Sequence, residues 1–496
     1  MKSLLSLVKV LRSSEKRLLL HYYSRNTNSE EKLRLKLFRL VVKGVETDAE
    51  ARLLLKTKGG PSAYSHLKSR LKDDILNVLL TQDTSKRLAQ GNRSAELDCR
   101  KKVAQSHLLL LRGARIEGIN VLTKALKTAT QYELLAERLQ IHHLLREKFL
   151  GAGSTIELTR LNEEIDSDMR RYQSLLYVEQ QSFVLSSPEF AKNLGSKSKE
   201  AEHTELIEEL GTLFKVHKLA RIGFWYYMAA TEFHSSRGRF DEVVTIGAKF
   251  LSLVEKNPAV KSKNNIAGVN LSLGTANLKL RNYEKAQVHL VRSESLFPAS
   301  GFNRLTCLQH LVLAEAACKK YDSALNHIEL ASRHSRISTR EALIPRWLYL
   351  KACVEFLNGD VDASFKSLNR DGYLLKQQDT WNIQFRLLEL MQLIEQQDVE
   401  WLEFKLDATR KFLTRHKILD SNRVRTAINV FGNLVRKDLD FDEISEKNMD
   451  SLKSCLKEEK GFAWDPTGSE IVRFDEWVAS KTSKLNEGNS REQIEP

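Results

Sequence analysis

Proline and glycine, the residues that interrupt helices, are scarce in this sequence. Its 496 residues include seven prolines and 22 glycines, fewer than the usual shares of about 5% and 7%. Hydrophobic residues make up 42% and charged residues 29%, which is typical of a folded chain and argues against wholesale disorder. So few helix breakers over such a length predict an all-α fold.

Paired cysteines and long apolar runs are also missing. The five cysteines are odd in number and have no Cys-x-x-Cys spacing, which argues against a disulfide framework and a zinc module. No apolar run approaches the roughly 18 residues that a membrane span requires. The apolar start of the chain is interrupted by Lys9 and Arg12 before any signal-peptide cleavage site. We therefore expect a cytoplasmic protein with no membrane partner.

The sequence contains none of the short motifs that mark common enzymes. A Walker A loop, Gly-x-Gly-x-x-Gly, His-Glu-x-x-His and Gly-x-Ser-x-Gly are all absent. Cys307 and His310 are three residues apart with Cys318 nearby, but a fourth ligand at a spacing that suits a metal is missing. Adjacent His142 and His143 would point about 100° apart on a helix and could not easily share one ion. We predict that the protein is not an enzyme and holds no metal or cofactor.

Positive charge is concentrated near the N-terminus. The formal net charge of the whole chain is +14. Residues 1–90 hold 19 Lys and Arg against 9 Asp and Glu, a net +10, whereas residues 437–496 hold 9 against 15, a net −6. A basic segment of this kind suits partners that carry phosphates.

Residues 1–82 are expected to form a small basic helical module. Four cations spaced 4, 3 and 4 residues apart make one stripe on a helix predicted at 32–43, and two more share the outward side of a helix predicted at 62–80. These six residues are candidate phosphate ligands: Lys32, Lys36, Arg39, Lys43, Lys68 and Lys72. The alternative is a solvated helix face, because the pattern carries no base-reading signature.

The clearest internal repetition lies between residues 218 and 415. An apolar residue opens the second helix of each predicted helix pair, and successive copies are 43, 38, 40 and 40 residues apart. These landmark residues are Phe240, Tyr283, Tyr321, Val361 and Trp401. An acidic residue follows the landmark in four copies, as helix N-termini favour. Repeated helix pairs at this interval predict an α-solenoid, a fold that binds other chains.

One copy resembles the tetratricopeptide repeat family. It contains Leu273-Gly274, Tyr283, Ala286, Leu290 and Pro298 at the spacing of that family, and Ser323-Ala324-Leu325 with Ala331 matches a second-helix half. The repeats are longer than the family's roughly 34 residues, and Asn277 stands where a tyrosine is usual. The N-terminal block is also similar to uncharacterised large helical-repeat proteins of Bacteroidetes-type bacteria.

The resemblance implies which residues line a binding groove. Carried over position by position, they are Trp225, Glu232, Thr275, Lys279, Gln309, Arg346, Tyr349, Arg386 and Glu389. Tyr and Arg dominate binding hot spots, which favours Arg346, Tyr349 and Arg386. The alternative at each position is packing within the array. The Lys and Asn positions with which some family members hold a C-terminal carboxylate are absent here, so we do not expect recognition of that type.

The remaining segments surround these repeats. We predict a TPR-like array at 218–415, a linker at 83–96, degenerate repeats at 97–217, capping helices with an aromatic segment at 416–483, and a disordered tail at 484–496. The cap is expected to contain helices near 421–437 and 441–459. The rings of Phe462, Trp464, Phe474 and Trp477 are expected to pack back on the last helix, with a partner-docking peptide as the alternative.

Two functions follow as hypotheses from these features. The first is a non-enzymatic scaffold that binds a partner peptide or helix in the groove of the array, with a possible role for the N-terminal module in self-association. The second is a nucleic-acid-binding regulator that contacts phosphates through the basic module and uses the repeats as a sensor. The sequence identifies neither the partner nor the process.

Overall fold

The computed structural model describes residues 1–25, 29–55, 60–81, 92–149, 155–185, 197–339, 343–369, 379–416 and 421–483. All regular secondary structure in these ranges is helical, which confirms the all-α prediction. The chain divides into two compact units, Met1–Asp98 and Cys99–Pro496. None of the described helices is both long and apolar enough to cross a bilayer.

The first unit is a cluster of short helices around its own core. The helices are α1 (Lys2–Val10), α2 (Ser13–Arg25), α3 (Ser29–Val42), α4 (Asp48–Leu55) and α5 (Gly60–Thr81). Tyr23, Phe38 and Ile75 are among its fully buried side chains. Thr47 caps α4, because its Oγ1 accepts a hydrogen bond from the Glu50 N–H at 3.2 Å.

The second unit consists mainly of sequential helix pairs. Its helices before the cap are α6 (Asn92–Leu111), α7 (Arg115–Gln131), α8 (Leu135–Phe149), α9 (Thr155–Leu185), α10 (Lys197–His217), α11 (Ala220–Ser236), α12 (Phe240–Lys256), α13 (Lys263–Lys279), α14 (Tyr283–Leu296), α15 (Phe302–Ala317), α16 (Tyr321–Ser332), α17 (Ser335–Thr339), α18 (Ile344–Leu357), α19 (Val361–Asn369), α20 (Asp379–Glu395) and α21 (Val399–Arg415). Within the five repeats each long helix packs against the next long helix along the chain, α16 contacting α18 past the short α17, and α13, α15, α18 and α20 also pack in succession. This is the solenoid arrangement that the repeat predicted.

The landmark residues mark the second helices closely. Phe240, Tyr283, Tyr321 and Val361 are each the first residue of their helix, and Val399 begins α21 two residues before Trp401. The linker predicted at 83–96 needs one correction, because residues 92–96 belong to the start of α6. The rest of that predicted linker, 83–91, lies outside the described residues.

A shared turn joins the two helices of each repeat. The residue two positions before each second helix has a positive φ: Gly238, Arg281, Lys319, Gly359 and Gln397. The next N–H then donates to the carbonyl five residues earlier, as from Asn282 to Asn277 at 2.8 Å. This is a Schellman cap, which satisfies the last carbonyls of the first helix. Gly113 and Glu133 make the same turn upstream.

Small residues let the paired helices approach each other. Ala286 and Ala324, which follow their landmarks by three positions, are fully buried, as the repeat pattern predicted. On α13, a Cβ added to Gly274 would lie 2.6 Å from Cγ of Leu290 on α14. Larger side chains at these positions would therefore force the two helices apart.

The end of the array departs from the predicted pair of capping helices. After α22 (Asn422–Arg436) comes a short 3-10 turn (Phe441–Glu443), then α23 (Glu446–Leu456) and α24 (Phe474–Lys481). The helix predicted at 441–459 is thus shorter and starts later. Residues 457–473 between α23 and α24 form no helix of their own. The predicted disordered tail, 484–496, lies outside the described residues.

Candidate partner-binding groove

The first helices of the five repeats, α11, α13, α15, α18 and α20, form one face of the array, which we call the groove. All nine predicted groove residues lie on these helices. The chain itself returns to this face after α23. Its C-terminal segment, residues 457–483, contacts α13, α15, α18 and α20.

Lys279 at the end of α13 holds the segment by an ion pair. Its Nζ lies 2.6 Å from Oδ1 of Asp465 and 5.7 Å from the ring centroid of Phe240. Burial raises the pKa of Asp465, but hydrogen bonds from Lys279 and Thr467 outweigh burial and lower it. Arg281, two residues further on, pairs with Glu458 and lies over the ring of Trp464 at 5.5 Å.

Tyr349 on α18 binds the backbone of the segment. Its hydroxyl donates a hydrogen bond to the carbonyl oxygen of Ser469 at 2.8 Å. The side chain is buried, and burial holds the pKa of its phenol well above the usual value. The ring also makes an edge contact with Trp381 of α20, at 5.7 Å between centroids. The hydrogen bond from the Tyr349 hydroxyl requires only a backbone carbonyl and so does not depend on which side chain the bound residue has.

Arg423 on α22 closes the segment into a loop. Its guanidinium donates to the carbonyl oxygen of Phe462 at 3.1 Å and to both carboxylate oxygens of Glu470, at 2.9 and 2.5 Å. It also donates to Asp475 at 2.8 Å. Burial raises the pKa of Asp475, but hydrogen bonds from Arg473 and Arg423 outweigh burial and lower it. We call residues 462–470, which this arginine joins at both ends, the groove loop.

The tip of the groove loop is a tight turn with its acidic side chain directed at the array. Asp465, Pro466, Thr467 and Gly468 have the residue preferences of a type I turn, and the Gly468 N–H donates to the Asp465 carbonyl at 2.9 Å. The Thr467 N–H and hydroxyl both donate to Oδ1 of Asp465, at 2.9 and 3.1 Å. The carboxylate is therefore oriented before it meets Lys279.

The helix that follows the loop packs into the cap. Nε1 of Trp477 donates to Glu395 on α20 at 2.7 Å, and Nζ of Lys481 lies 2.6 Å from the same carboxylate. The rings of Phe474 and Trp477 contact Phe431 of α22, at 6.4 and 6.1 Å between centroids. The rings were expected to pack back on the last helix; Phe474 and Trp477 do pack back on the cap, but these ring contacts are to α22, the first of the two predicted capping helices. Trp464 lies between Arg281 and Arg473.

His310 and Arg346 lie in the groove near Lys279. His310 Nδ1 is 3.0 Å from the Thr275 hydroxyl, which itself donates to the Leu271 carbonyl. Burial, together with the charges of Arg346 and Lys279, lowers the pKa of His310 to about 4. The Arg346 guanidinium lies 4.3 Å from the Trp381 ring centroid. Its Nε is buried without a hydrogen bond, and no described carboxylate pairs with it.

The other predicted groove residues fall into two groups. Gln309 and Glu389 are buried, and Glu389 lies 2.6 Å from Lys405 of α21. The guanidinium of Arg386 donates to Asn382 and stacks on Phe412. For these three residues packing within the array is the observed role. Trp225 packs against Phe183, and Glu232 is exposed on α11.

The basic stripe of the first unit is exposed as predicted. Lys32, Lys36 and Arg39 on α3 and Lys43 in the turn directly after it all have exposed side chains, and they make no ion pair within the described residues. Together with Lys16 of α2, Arg39 and Lys43 line a cavity of about 410 Å³. Lys68 does not belong to this group, because it pairs with Asp48 at 3.1 Å. Lys72 is half-buried on α5.

Several residues of the groove were missed at the sequence level. Arg281, Glu395 and Arg423 carry contacts to the C-terminal segment but occupy no family groove position. Asp465 lies within the predicted aromatic segment, for which only packing of the rings or docking to a partner was expected. The turn signature Asp465-Pro466-Thr467-Gly468 could have indicated a fixed loop, but its contact with α13, 186 residues away, leaves no local signal.

Comparison with known proteins finds similarity at the level of structure. No family model matches the sequence, and no curated protein does. A solved structure, that of a signal transduction ATPase with numerous domains (STAND) with a tetratricopeptide repeat sensor from Pyrococcus horikoshii, is similar at 13% identity and a TM-score of 0.36. The matched region covers 85% of the present chain and 56% of the STAND protein. Our assignment of the fold rests on the helix pairs described above.

Proposed function

We propose that this chain is a non-enzymatic protein-interaction module that binds an extended segment of a partner in the groove. The observation that carries the proposal is the groove loop, because it is a polypeptide segment held there by a charged side chain, a backbone hydrogen bond and aromatic contacts. These are the contact types with which repeat proteins bind peptides. The partner remains to be identified.

Site-specific photo-crosslinking tests this proposal. A photoreactive amino acid is placed at exposed Glu232 of the groove in the full-length chain, and in a control at exposed Lys285 on the second helix α14. We expect a protein to be captured from position 232 and not from position 285, with or without nuclease. Equal capture from both positions, or no protein captured from position 232, would contradict the proposal.

A second candidate function is nucleic-acid binding by the first unit. It is favoured by the four exposed cations of the basic stripe, which make no ion pair within the described residues and so are available to phosphates. Neutralising several phosphates makes affinity fall steeply with salt, with a slope of about 0.9 per phosphate on duplex DNA.

Charge reversal tests this second candidate. We compare Lys32→Glu/Lys36→Glu with the control Lys249→Glu/Lys285→Glu, which has the same net charge but alters exposed residues of the array. If the stripe binds phosphates, only the first double variant weakens binding to DNA or RNA and flattens its salt dependence. Equal weakening by both pairs would show nonspecific attraction, and absence of binding at low salt would exclude the function.

A further inference from the structure

The groove loop is firmly held at its base and lightly held at its tip. At the base, Arg423 is 5% exposed and donates to both ends of the loop. At the tip, the side chain of Asp465 is 54% exposed and that of Lys279 is 22% exposed. Exposed ion pairs of this kind contribute little to stability. The tip can therefore leave the array while the base stays in place.

Open space lies between the C-terminal segment and the array, beside the groove loop. A cavity of about 780 Å³ is bounded on the array side by Leu313, Tyr321 and Phe356 and on the segment side by Trp464, Pro466 and Ile471. Its wall on the segment side is formed mainly by residues 471–480, and Pro466 is the tip residue that borders it. Space next to a lightly held tip is what a second segment needs in order to enter.

Resting on the proposed function, we propose that the tip Asp465–Gly468 is a built-in occupant of the groove. In this proposal the partner is a polypeptide whose extended segment presents a side-chain carboxylate to Lys279 after displacing the tip. Asp465 stands in for the carboxylate of the partner, while the Ser469 carbonyl stays on Tyr349 with the base of the loop.

The charges around the tip favour an acidic partner. Lys279 would be left without its carboxylate when the tip departs, and Arg346 is near enough to lower the pKa of His310 while pairing with no described carboxylate. A basic segment would be repelled by both cations, and a neutral one would leave Lys279 unpaired. An acidic side chain in an extended stretch restores the contact that the tip makes.

The tethered tip should control access to the groove. Because both of its ends are fixed, the tip competes as if it were present at roughly millimolar concentration or above. The apparent affinity for a partner is reduced in proportion to the fraction of chains whose groove is open. Opening the tip should therefore tighten binding without any new contact.

The test uses the full-length chain and a labelled peptide. Asp465→Lys opposes Lys279 and should release the tip, while Glu459→Lys makes the same charge change at an exposed residue outside the loop. The probe is a fluorescent peptide with the sequence of residues 461–472, and a second peptide carries Asn in place of the aspartate. Hydrogen exchange of amides 462–470 reports whether the tip has opened.

We expect Asp465→Lys to speed exchange in the loop and to bind the acidic peptide at least about 10-fold more tightly than the wild type or Glu459→Lys. The peptide with Asn in place of the aspartate should bind Asp465→Lys no more tightly than it binds the wild type. Adding Lys279→Glu should also abolish the gain, because the reversed charges attract again and close the loop. If Asp465→Lys fails to fold, Asp465→Asn removes the contact without adding a charge.

Three outcomes would overturn the inference. The first is hydrogen exchange in the loop that is the same in both Asp465 variants as in the wild type. The second is equal affinity for the peptide in variants with an opened loop and in the wild type. The third is that a variant whose loop exchanges freely binds no peptide at millimolar concentration. The crosslinking from Glu232 separates this inference from the proposed function. A partner captured there equally by the wild type and Asp465→Lys would leave the proposed function standing and remove the gating tip.

Discussion

A single buried arginine organises the end of the array at the residue scale. Arg423 joins α22 to the start of the groove loop, to its end at Glu470 and to α24 at Asp475. Asp475 is fully buried, so this network satisfies charges that would otherwise be costly in the interior. Its geometry explains why a loop without regular secondary structure keeps one conformation at its base.

Replacing Arg423 should be strongly destabilising. Arg423→Met removes one of the two arginines that pair with fully buried Asp475 and leaves Glu470 without its arginine. Losing one partner of a buried ion pair costs about 3–5 kcal/mol. Denaturant unfolding measures the loss, with exposed Arg425→Met on the same helix as the control. A cost below about 1 kcal/mol, similar to that of the control, would show that the network contributes little.

A second residue-scale prediction concerns His327 and pH. Its Nδ1 lies 2.8 Å from buried Glu315, and this hydrogen bond raises the pKa of His327 although burial lowers it. Because the folded pKa lies above the unfolded value of about 6.5, the contact stabilises the fold below that pH. Its contribution is lost as pH rises through the folded pKa.

We therefore expect His327→Gln to lower the free energy of unfolding more at about pH 5.5 than at about pH 8.5. Unfolding of the variant and the wild type is compared at both pH values. Exposed His143→Gln serves as the control. A cost of His327→Gln that is equal at the two pH values would contradict the proposed charge pairing.

Close approach within a helix pair is decided at the scale of the element. Gly274 lies against Leu290, which is fully buried, whereas a Cβ on Gly268 of the same helix would meet no atom within 4 Å. Alanine favours a helix over glycine by about 1 kcal/mol, so only packing can make the two positions differ.

The two alanine variants should therefore change stability in opposite directions. Gly268→Ala should raise the free energy of unfolding by up to about 1 kcal/mol. Gly274→Ala should lower it by about 1–3 kcal/mol, because Leu290 must move in a packed interface. Urea unfolding of the full-length chain measures both. A gain in stability from Gly274→Ala would mean that α13 and α14 are less tightly packed than the structure indicates.

On the scale of the whole molecule, the first unit has the features of an independent domain. Its core includes Leu19, Tyr23, Phe38 and Leu71, all almost completely buried. The Tyr23 hydroxyl and the Arg34 guanidinium both donate to Asp74, at 2.5 and 2.7 Å, and so join α2, α3 and α5.

We predict that residues 1–91 fold by themselves. The isolated fragment should be helical and should unfold in one cooperative transition, since a compact domain of this size can have a sufficient core. Circular dichroism and thermal unfolding check this, and Leu71→Ala should lower the midpoint because it removes a buried side chain. A gradual loss of helicity without a midpoint would contradict an independent domain.

The sequence by itself determined the helical class, the repeat interval and the start of the second helices. These features are local, because scarce helix breakers, periodic apolar residues and acidic first turns act within a few residues. The exposure of the α3 stripe was also predictable, since one helix carried charges and apolar residues on separate faces.

Only the tertiary structure decided what lies in the groove. Lys279 and Asp465 are 186 residues apart, and Tyr349 meets Ser469 across 120 residues. No local pattern encodes a contact between a repeat helix and a distant loop, because the stacking of all intervening helices sets that distance. The same stacking buried Gln309 and Glu389 and brought Arg423 to both ends of the loop.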